Sequence, residues 1–301
     1  MRPIGKENAV TTLNSGATVR ALIRQHYPDL TPSERKFADA LLDNYPAAGL
    51  ASITIVASNA GVSSPTVARM IKKLGFKGYP EFHRALLGEL EAKGVGPTQR
   101  RDNWSAEAPE THLLNRFTQA VTSNLQLTFS HIETARFDGA ARQLAEADRH
   151  LYIVGGRITQ ALGDYAFTHF QAVRPGVTHL TSSSGTWPHY VLDMQPGDTL
   201  LIFDIRRYET NLQRLAEMVK QRGVAIVLFT DQWGSPIASL ADFTFHCWVE
   251  IPSGWDSNVS IMMLLETLIA AVQEQRWPEA RERYERLDAL FDMTHFFRRF
   301  N

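Results

Sequence analysis

Apolar residues at helical spacing predict a short helix in the first third of the chain. Between residues 52 and 61 they recur every three to four positions, at Ile53, Val56, Ala57 and Ala60. Ser52 precedes this run and is a candidate N-cap. Gly61 follows it, and glycine readily takes the left-handed conformation that ends a helix.

A second short helix is predicted directly after this glycine. Ser63 or Ser64 can cap it, and Pro65 falls in its first turn, where a missing N–H is tolerated. Its apolar positions are Val67, Met70, Ile71 and Leu74. Two short helices joined by a tight glycine turn predict a helix-turn-helix.

The polar face of the second helix is suited to nucleic acid. In this motif the second helix enters the major groove with its N-terminal residues at base edges. Short hydroxyls followed by cations fit that placement, because they can reach bases and phosphates. The alternative is an ordinary helical hairpin with a solvated basic face. The predicted DNA-binding residues are Ser63, Ser64, Thr66, Arg69, Lys72 and Lys73.

From residue 150 onwards the hydrophobic pattern changes to short apolar runs. They read LYIVGG, GVTHLTSSS, DTLLIFDI, VAIVLFT and DFTFHCWV. Segments of helical composition lie between them, over residues 159–172, 187–194, 211–222 and 235–241. Strands that alternate with helices predict a doubly wound, five-stranded parallel sheet with helices on both faces. The expected strand order is the flavodoxin-like 2-1-3-4-5.

These patterns divide the chain into predicted parts. An all-α helix-turn-helix domain covers residues 17–94, and connecting helices cover 111–147. The α/β domain covers 148–276, and a C-terminal helix covers 277–301. Residues 95–110 are rich in Gly, Pro and charge without a period, which is typical of a linker.

Composition and charge are consistent with a DNA reader joined to a second domain. The chain has 301 residues, of which 44% are hydrophobic, and a single cysteine. Residues 1–96 carry 12 Lys and Arg against 8 Asp and Glu, and the later residues carry 19 against 24. No signal segment or membrane span is evident, so we expect a cytoplasmic protein. The ten histidines show no metal-ligand spacing, and we expect neither a metal nor a cofactor.

Ligands of doubly wound sheets bind at the carboxyl ends of the strands, near the switch between the first and third. Glycines before a helix N-terminus form a natural anion site, and guanidinium groups bind phosphate or carboxylate. The alternatives are an ordinary turn, solvated serines, and an arginine that pairs with Asp204 or Glu209. The predicted effector residues are Gly155, Gly156, Arg157, Thr159, Ser182, Ser183, Ser184, Arg206, Arg207 and Thr210.

Several segments resemble a known family. The LTPSE opening, the AGVSSPTVAR turn and the LGFKGYPEF exit resemble the N-terminal domain of RpiR-type bacterial transcriptional regulators. GVAIVLFTD and SPIASLADFTF resemble the SIS (sugar isomerase) domain, over about residues 130–275. In that domain a serine- and glycine-rich loop after the third strand holds a phosphate. Here that loop reads DIRRYET, in which Thr210 is the matching hydroxyl, and Thr159 matches the serine expected after the first glycine loop.

The resemblance implies a non-enzymatic transcriptional regulator. It would bind double-stranded DNA at a palindromic operator as a homodimer or homotetramer, without a membrane partner. Its SIS-like domain would sense a small anionic metabolite such as a sugar phosphate. The alternative is a sugar-phosphate isomerase with an added basic helical domain.

Overall fold

The computed structural model describes residues 18–43, 45–94, 96, 98 and 112–297. The chain forms two compact units, residues 1–95 and residues 96–301. Most of the predicted linker, 95–110, lies outside the described residues.

The N-terminal unit is helical. Its α-helices are α1 (Val19–His26), α2 (Pro32–Asp43), α3 (Ile53–Asn59), α4 (Ser64–Lys73) and α5 (Tyr79–Gly94). One core joins them through fully buried side chains, among them Phe37, Leu41, Met70, Ile71 and Phe82. The unit therefore has a hydrophobic core of its own.

A reciprocal pair of hydrogen bonds fixes the start of α2. The Thr31 backbone N–H donates to Glu34 Oε2 at 2.8 Å, and the Glu34 N–H donates to Thr31 Oγ1 at 3.4 Å. This capping box satisfies N–H groups that the first helical turn leaves unpaired. Pro32 is the first helical residue, where its missing N–H does no harm.

The predicted helix-turn-helix is confirmed. Gly61 lies between α3 and α4 with a φ of 61°, in the left-handed region. Ser63 caps α4, because its side chain accepts a hydrogen bond from the Thr66 N–H. Ser52 occupies the N-cap position of α3, but its side chain makes no capping bond. Both predicted apolar faces turn inward. Ile53 is half-buried against the core, and the other predicted positions are fully buried, namely Val56, Ala57, Ala60, Val67, Met70, Ile71 and Leu74.

The second unit is a three-layer α/β fold. Its strands are β1 (Leu151–Gly155), β2 (Val177–His179), β3 (Thr199–Phe203), β4 (Ala225–Asp231) and β5 (Phe243–Cys247). All neighbouring strands pair in parallel, in the order β2-β1-β3-β4-β5, which confirms the predicted topology. Its α-helices are α6 (Leu113–Ser130), α7 (Thr134–Ala145), α8 (Gln160–Val173), α9 (Trp187–Asp193), α10 (Thr210–Gln221), α11 (Val259–Gln275) and α12 (Trp277–Thr294).

One predicted helical segment of this unit is wrong. Residues 235–241 form only a short 3-10 turn, Pro236–Ser239, capped by the Ser235 side chain. The four-residue turn is enough to cross from β4 to β5, and Ile237 is its buried anchor. Within the described ranges, no helix has the length and apolar character needed to cross a membrane.

Candidate nucleic-acid interface and effector site

The outer face of α4 presents a small basic surface. Ser63, Arg69, Lys72 and Lys73 are exposed, and Ser64 is half-buried. Thr66, by contrast, is only 5% exposed. Of the six predicted DNA-binding residues, four are therefore exposed, one is half-buried and one is buried.

Thr66 is bonded within its own helix. Its Oγ1 lies 2.9 Å from Ser63 Oγ and accepts a hydrogen bond from Arg69 Nη2 at 3.4 Å. This arrangement leaves almost no Thr66 surface for the base contact predicted for it. The Thr66 hydroxyl instead holds the Arg69 guanidinium near the N-terminal end of α4.

Lys73 is tied to the body of the N-terminal unit. Its Nζ lies 2.7 Å from Glu34 Oε2 and donates to the Asp29 carbonyl at 3.3 Å. Burial opposes ionisation of Glu34, but hydrogen bonds from Lys73 and Thr31 outweigh it and lower the pKa of the carboxyl. Lys73 thus locks the end of α4 against the start of α2, which sets the orientation of the outer face.

In the second unit, Thr159 joins the loop after β1 to β3. Its hydroxyl donates to the Phe203 carbonyl at 2.6 Å and accepts from the Gly156 N–H at 2.8 Å. The residue is 2% exposed. Although Thr159 was predicted to bind the effector, here its hydroxyl is used to shape the loop, and a ligand contact would require that loop to rearrange.

The loop that leads into α8, where an anion was predicted, holds a carboxylate of the chain itself. The Arg157 backbone N–H donates to Glu209 Oε1 at 2.5 Å. A Cβ at Gly156 would lie 2.6 Å from the same oxygen, so the carboxylate packs directly on the glycine backbone. Glu209 is not among the predicted site residues, because no local sequence pattern shows that its side chain contacts the loop after β1.

A buried carboxyl group lies beneath this loop. Asp204 is 2% exposed; its Oδ2 accepts from the Ser235 hydroxyl at 2.5 Å, and its Oδ1 accepts from the Glu209 N–H at 3.2 Å. Burial raises the pKa of Asp204 to about 7 despite these bonds, and the nearby carboxylates of Asp231 and Glu209 raise it further. The group therefore titrates in the physiological range.

Asp231, at the end of β4, organises the neighbouring loops. Its Oδ2 accepts from the Arg206 N–H at 2.6 Å, and its Oδ1 accepts from the Tyr208 hydroxyl at 2.7 Å. Oδ1 also accepts from the N–H groups of Trp233 and Gly234, both at 3.0 Å. Burial, followed by the charge of Asp231, raises the pKa of Tyr208 well above its usual range.

Arg206 forms a tie between loops. Its Nη2 lies 3.2 Å from Glu250 Oε1 and its Nε lies 3.0 Å from Asp256 Oδ2. The guanidinium stacks 3.9 Å over the Trp233 ring, and the side chain is 5% exposed. Its acidic partners in these contacts are Glu250 and Asp256, whereas Asp204 and Glu209 were the partners considered from the sequence for one of the two arginines. An effector anion would have to compete with two carboxylates for this arginine.

The remaining predicted residues line the same edge more openly. Arg207 is exposed and has a φ of 68°, which is unusual for a residue with a side chain. Arg157 is also exposed, with its guanidinium 5.8 Å from the Trp255 ring centroid. Ser182, Ser183 and Thr210 are exposed, and Ser184 Oγ accepts from Asn211 Nδ2 at 3.1 Å.

The structure thus brings the loops after β1, β2 and β3 to one edge, as the topology predicts. Within the described part of the chain, no cluster of His, Cys, Asp and Glu is arranged to hold a metal ion. Glu209, Asp231 and the Trp233 ring also contribute to this edge, but they are not among the predicted site residues. Glu209 lies in the DIRRYET loop and Asp231 directly follows a predicted strand, so the sequence placed both at strand ends, whereas Trp233 left no signal.

Both units match family models. Residues 17–93 match the helix-turn-helix domain of the rpiR family, and residues 143–271 match the SIS domain. Together these matches span more than half of the 301 residues.

Named relatives point the same way. The HTH-type transcriptional regulator HexR of Pseudomonas aeruginosa is 23% identical over 245 residues, which cover 80% of this chain and 81% of that protein. The sugar isomerase domain of an RpiR transcription factor from Sphaerobacter thermophilus is 20% identical, with a TM-score of 0.55; it covers 58% of this chain and 97% of its own. The Vibrio vulnificus NanR protein complexed with ManNAc-6P is 18% identical, with a TM-score of 0.53; it covers 91% of this chain and 98% of its own.

At 18–20% identity, the two solved structures show only that the fold is shared. The two family models also match in a defined order along the chain, first the helix-turn-helix domain and then the SIS domain. With an rpiR-family helix-turn-helix domain followed by a SIS domain, this protein belongs to the RpiR-type transcriptional regulators.

Proposed function

We propose that this regulator reads DNA with Ser63, Ser64, Arg69 and Lys72, and that its SIS domain senses a small anionic metabolite. The exposed start of α4 supports the first part, because base edges are read by the N-terminal residues of the second helix. Thr66 and Lys73 then serve as supports, one for Arg69 and the other for the helix itself.

The observation that carries the effector proposal is the Glu209 carboxylate at the Arg157 N–H. A negative group is already bound to a backbone N–H of the loop that leads into α8, three residues before the helix begins. The dipole of that nearby helix also favours an anion there. Arg157 and Arg207 expose two cations at the same edge, and Ser182 and Ser183 expose two hydroxyls. A phosphate binds well to this mixture of backbone donors, guanidinium groups and hydroxyls.

We propose a phosphorylated sugar as the effector class. The NanR structure was solved with ManNAc-6P, and it shares this fold. A sugar also requires hydroxyl-binding groups beside the phosphate, which the 181–186 loop offers. In this proposal Gly156 lets the backbone approach the phosphate, and Gly155 lets the loop pass close to the Thr159 backbone. Thr159 and Arg206 shape the loops from below.

We further propose that the ligand is sensed without being converted. Relatives such as HexR are named as transcriptional regulators. Asp204 has the pKa of a general base, but its carboxyl is buried and is occupied by Ser235 and by the Glu209 N–H. When the full chain is incubated with aldose and ketose phosphates, NMR should show unchanged sugars. Turnover would instead favour the isomerase alternative.

A thermal-shift panel tests the effector proposal. A ligand of the folded state at about 100 times its Kd should add about 2.7 kcal/mol of stability. Tryptophan fluorescence is a suitable readout, because all six tryptophans lie at residue 104 or later. We expect sugar phosphates to stabilise the protein and the matching unphosphorylated sugars to have no effect. Arg207→Ala should weaken the response, whereas Arg214→Ala, an exposed arginine on α10, should preserve it.

A further inference from the structure

We propose that Glu209 is a built-in competitor for the effector anion and that it sets which anions the SIS domain accepts. This inference rests on the anion site proposed above and concerns the group that occupies it before the effector arrives. Binding is then an exchange, in which an external anion replaces the carboxylate of Glu209 at the Arg157 N–H.

The carboxylate of Glu209 lies close to the backbone of the loop after β1. Its Oε1 lies 2.5 Å from the Arg157 nitrogen, and a Cβ at Gly156 would meet that oxygen at 2.6 Å. Because Gly156 has no side chain, the space above it is open to an oxyanion, and Glu209 fills that space. An external anion cannot take this position until Glu209 leaves it.

Glu209 bonds across the fold instead of capping its own helix. Glu209 is the N-cap residue of α10, yet its side chain makes no hydrogen bond to the first N–H groups of α10. The dipole of α10 favours a carboxylate near its N-terminal end. Here it reaches instead to Arg157, 52 residues away in sequence. Once displaced, the carboxylate has a second place available at the start of its own helix.

The charges around the carboxylate explain selectivity. Asp204 and Asp231 add negative groups close by, whereas Arg157 and Arg207 are the exposed cations of the edge. Arg206 is already paired with Glu250 and Asp256. A monoanion that replaces Glu209 exchanges one negative charge for another and gains little. A phosphate monoester brings further charge and further acceptor oxygens, so it gains more from the same donors.

Inorganic phosphate is the probe for this competition. We would titrate the full-length protein by calorimetry and compare wild type with Glu209→Gln, which keeps the shape and removes the charge. Glu217→Gln is the matched control, because Glu217 is an exposed glutamate on the same helix, bonded to Gln213. Phosphate should bind Glu209→Gln about 10-fold more tightly than wild type, since a neutral amide competes less well than a carboxylate. Glu217→Gln should match wild type.

Two further measurements test where the phosphate binds and why Glu209→Gln binds it more tightly. Gly156→Ala in the Glu209→Gln background should abolish it, because the new methyl group fills the anion position. Raising the salt from 0.15 to 0.5 M should preserve the ratio between Glu209→Gln and wild type. Mere long-range repulsion would be screened at that ionic strength, whereas competition for one position would not.

Equal phosphate binding by wild type and Glu209→Gln would overturn the competitor role and leave the proposed anion site standing. Weaker binding by Glu209→Gln would also overturn it, because Glu209 would then be part of the site. Absence of phosphate binding in every variant would overturn the anion site together with this inference. A gain that persists with Gly156→Ala would place the phosphate elsewhere and reject the proposal.

Discussion

Arg69 is the residue on which sequence-specific reading depends in this account. It is exposed on α4, and Thr66 holds its guanidinium from within the helix. Arginine can bind a guanine edge through two hydrogen bonds, which lysine cannot match. The hydrogen bond from Arg69 to the buried Thr66 hydroxyl orients the guanidinium for contact with a base.

We therefore expect Arg69→Ala to lose specific binding while keeping the fold. The loss should be about 1–3 kcal/mol at constant salt, with relaxed preference at one base pair. Lys72→Ala should instead weaken binding to all sequences uniformly, as loss of a phosphate contact does. Fluorescence anisotropy on specific and scrambled duplexes separates the two effects. Unchanged affinity in Arg69→Ala would mean that α4 does not read the bases.

Asp204 gives the second unit a pH-dependent stability. Its folded pKa of about 7 lies above its ordinary value of 3.8. The folded state therefore binds the proton more tightly, and the resulting stability is lost as the pH rises through about 7. Between pH 6 and pH 8 this loss should amount to about 1.4 kcal/mol.

Asp204→Asn should remove that dependence, because the amide stays neutral at every pH. The measurement is urea unfolding at pH 6 and pH 8, followed by tryptophan fluorescence. Asp138→Asn, at an exposed position on α7, is the control and should retain the wild-type pH dependence. An Asp204→Asn variant with that same dependence would assign the titration to another group.

At the scale of elements, the turn between α3 and α4 sets the orientation of α4, the helix proposed to enter the major groove. Gly61 has a φ of 61°, a conformation that strains any residue with a Cβ. Gly61→Ala should cost about 1 kcal/mol of stability. Gly88→Ala is the control, because Gly88 lies inside α5 with nothing within 4 Å of a new Cβ. It should stabilise α5 by about 1 kcal/mol, so calorimetry should show shifts of opposite sign.

Because Arg206 is held by two ion pairs, substitutions at Arg206 and at its neighbour Arg207 should have opposite effects on stability. Arg206→Ala removes the buried ion pair with Asp256 and uncovers Trp233, so we expect a loss of about 2–3 kcal/mol. The value is at the low end because Glu250 is half exposed. Arg207→Gly should instead gain about 1 kcal/mol by relieving the positive φ. Equal effects of the two changes on urea unfolding would contradict this division of roles.

Elements were predictable from the sequence where local patterns specify them. The helix-turn-helix follows from apolar spacing around Gly61, and the strand order follows from five apolar runs separated by crossovers. The site was less predictable, because its polar contacts join residues far apart in sequence. The Glu209–Arg157 and Arg206–Asp256 contacts depend on the positions of loops relative to one another in the folded domain. Hydrophobic periodicity along the sequence carries no information about those positions. For the same reason the sequence did not show that the hydroxyl of Thr159, a predicted effector residue, links the loop after β1 to β3.

For the whole molecule, a basic reading unit and an acidic sensing unit on one chain describe a ligand-responsive regulator. One helix-turn-helix reads only a half-site, so we expect at least a dimer on DNA. Two-fold symmetry then predicts a palindromic operator with half-sites about 34–36 Å apart or a multiple of that distance. Effector binding should change the affinity for that operator.

Selection of random duplex DNA by the full-length protein tests this central claim most directly. The account predicts enrichment of a two-fold symmetric sequence, which wild type binds specifically and Arg69→Ala does not. A stabilising sugar phosphate should shift the affinity of wild type for the selected sequence. Failure to enrich any sequence, or enrichment of the same symmetric sequence by Arg69→Ala, would contradict the account.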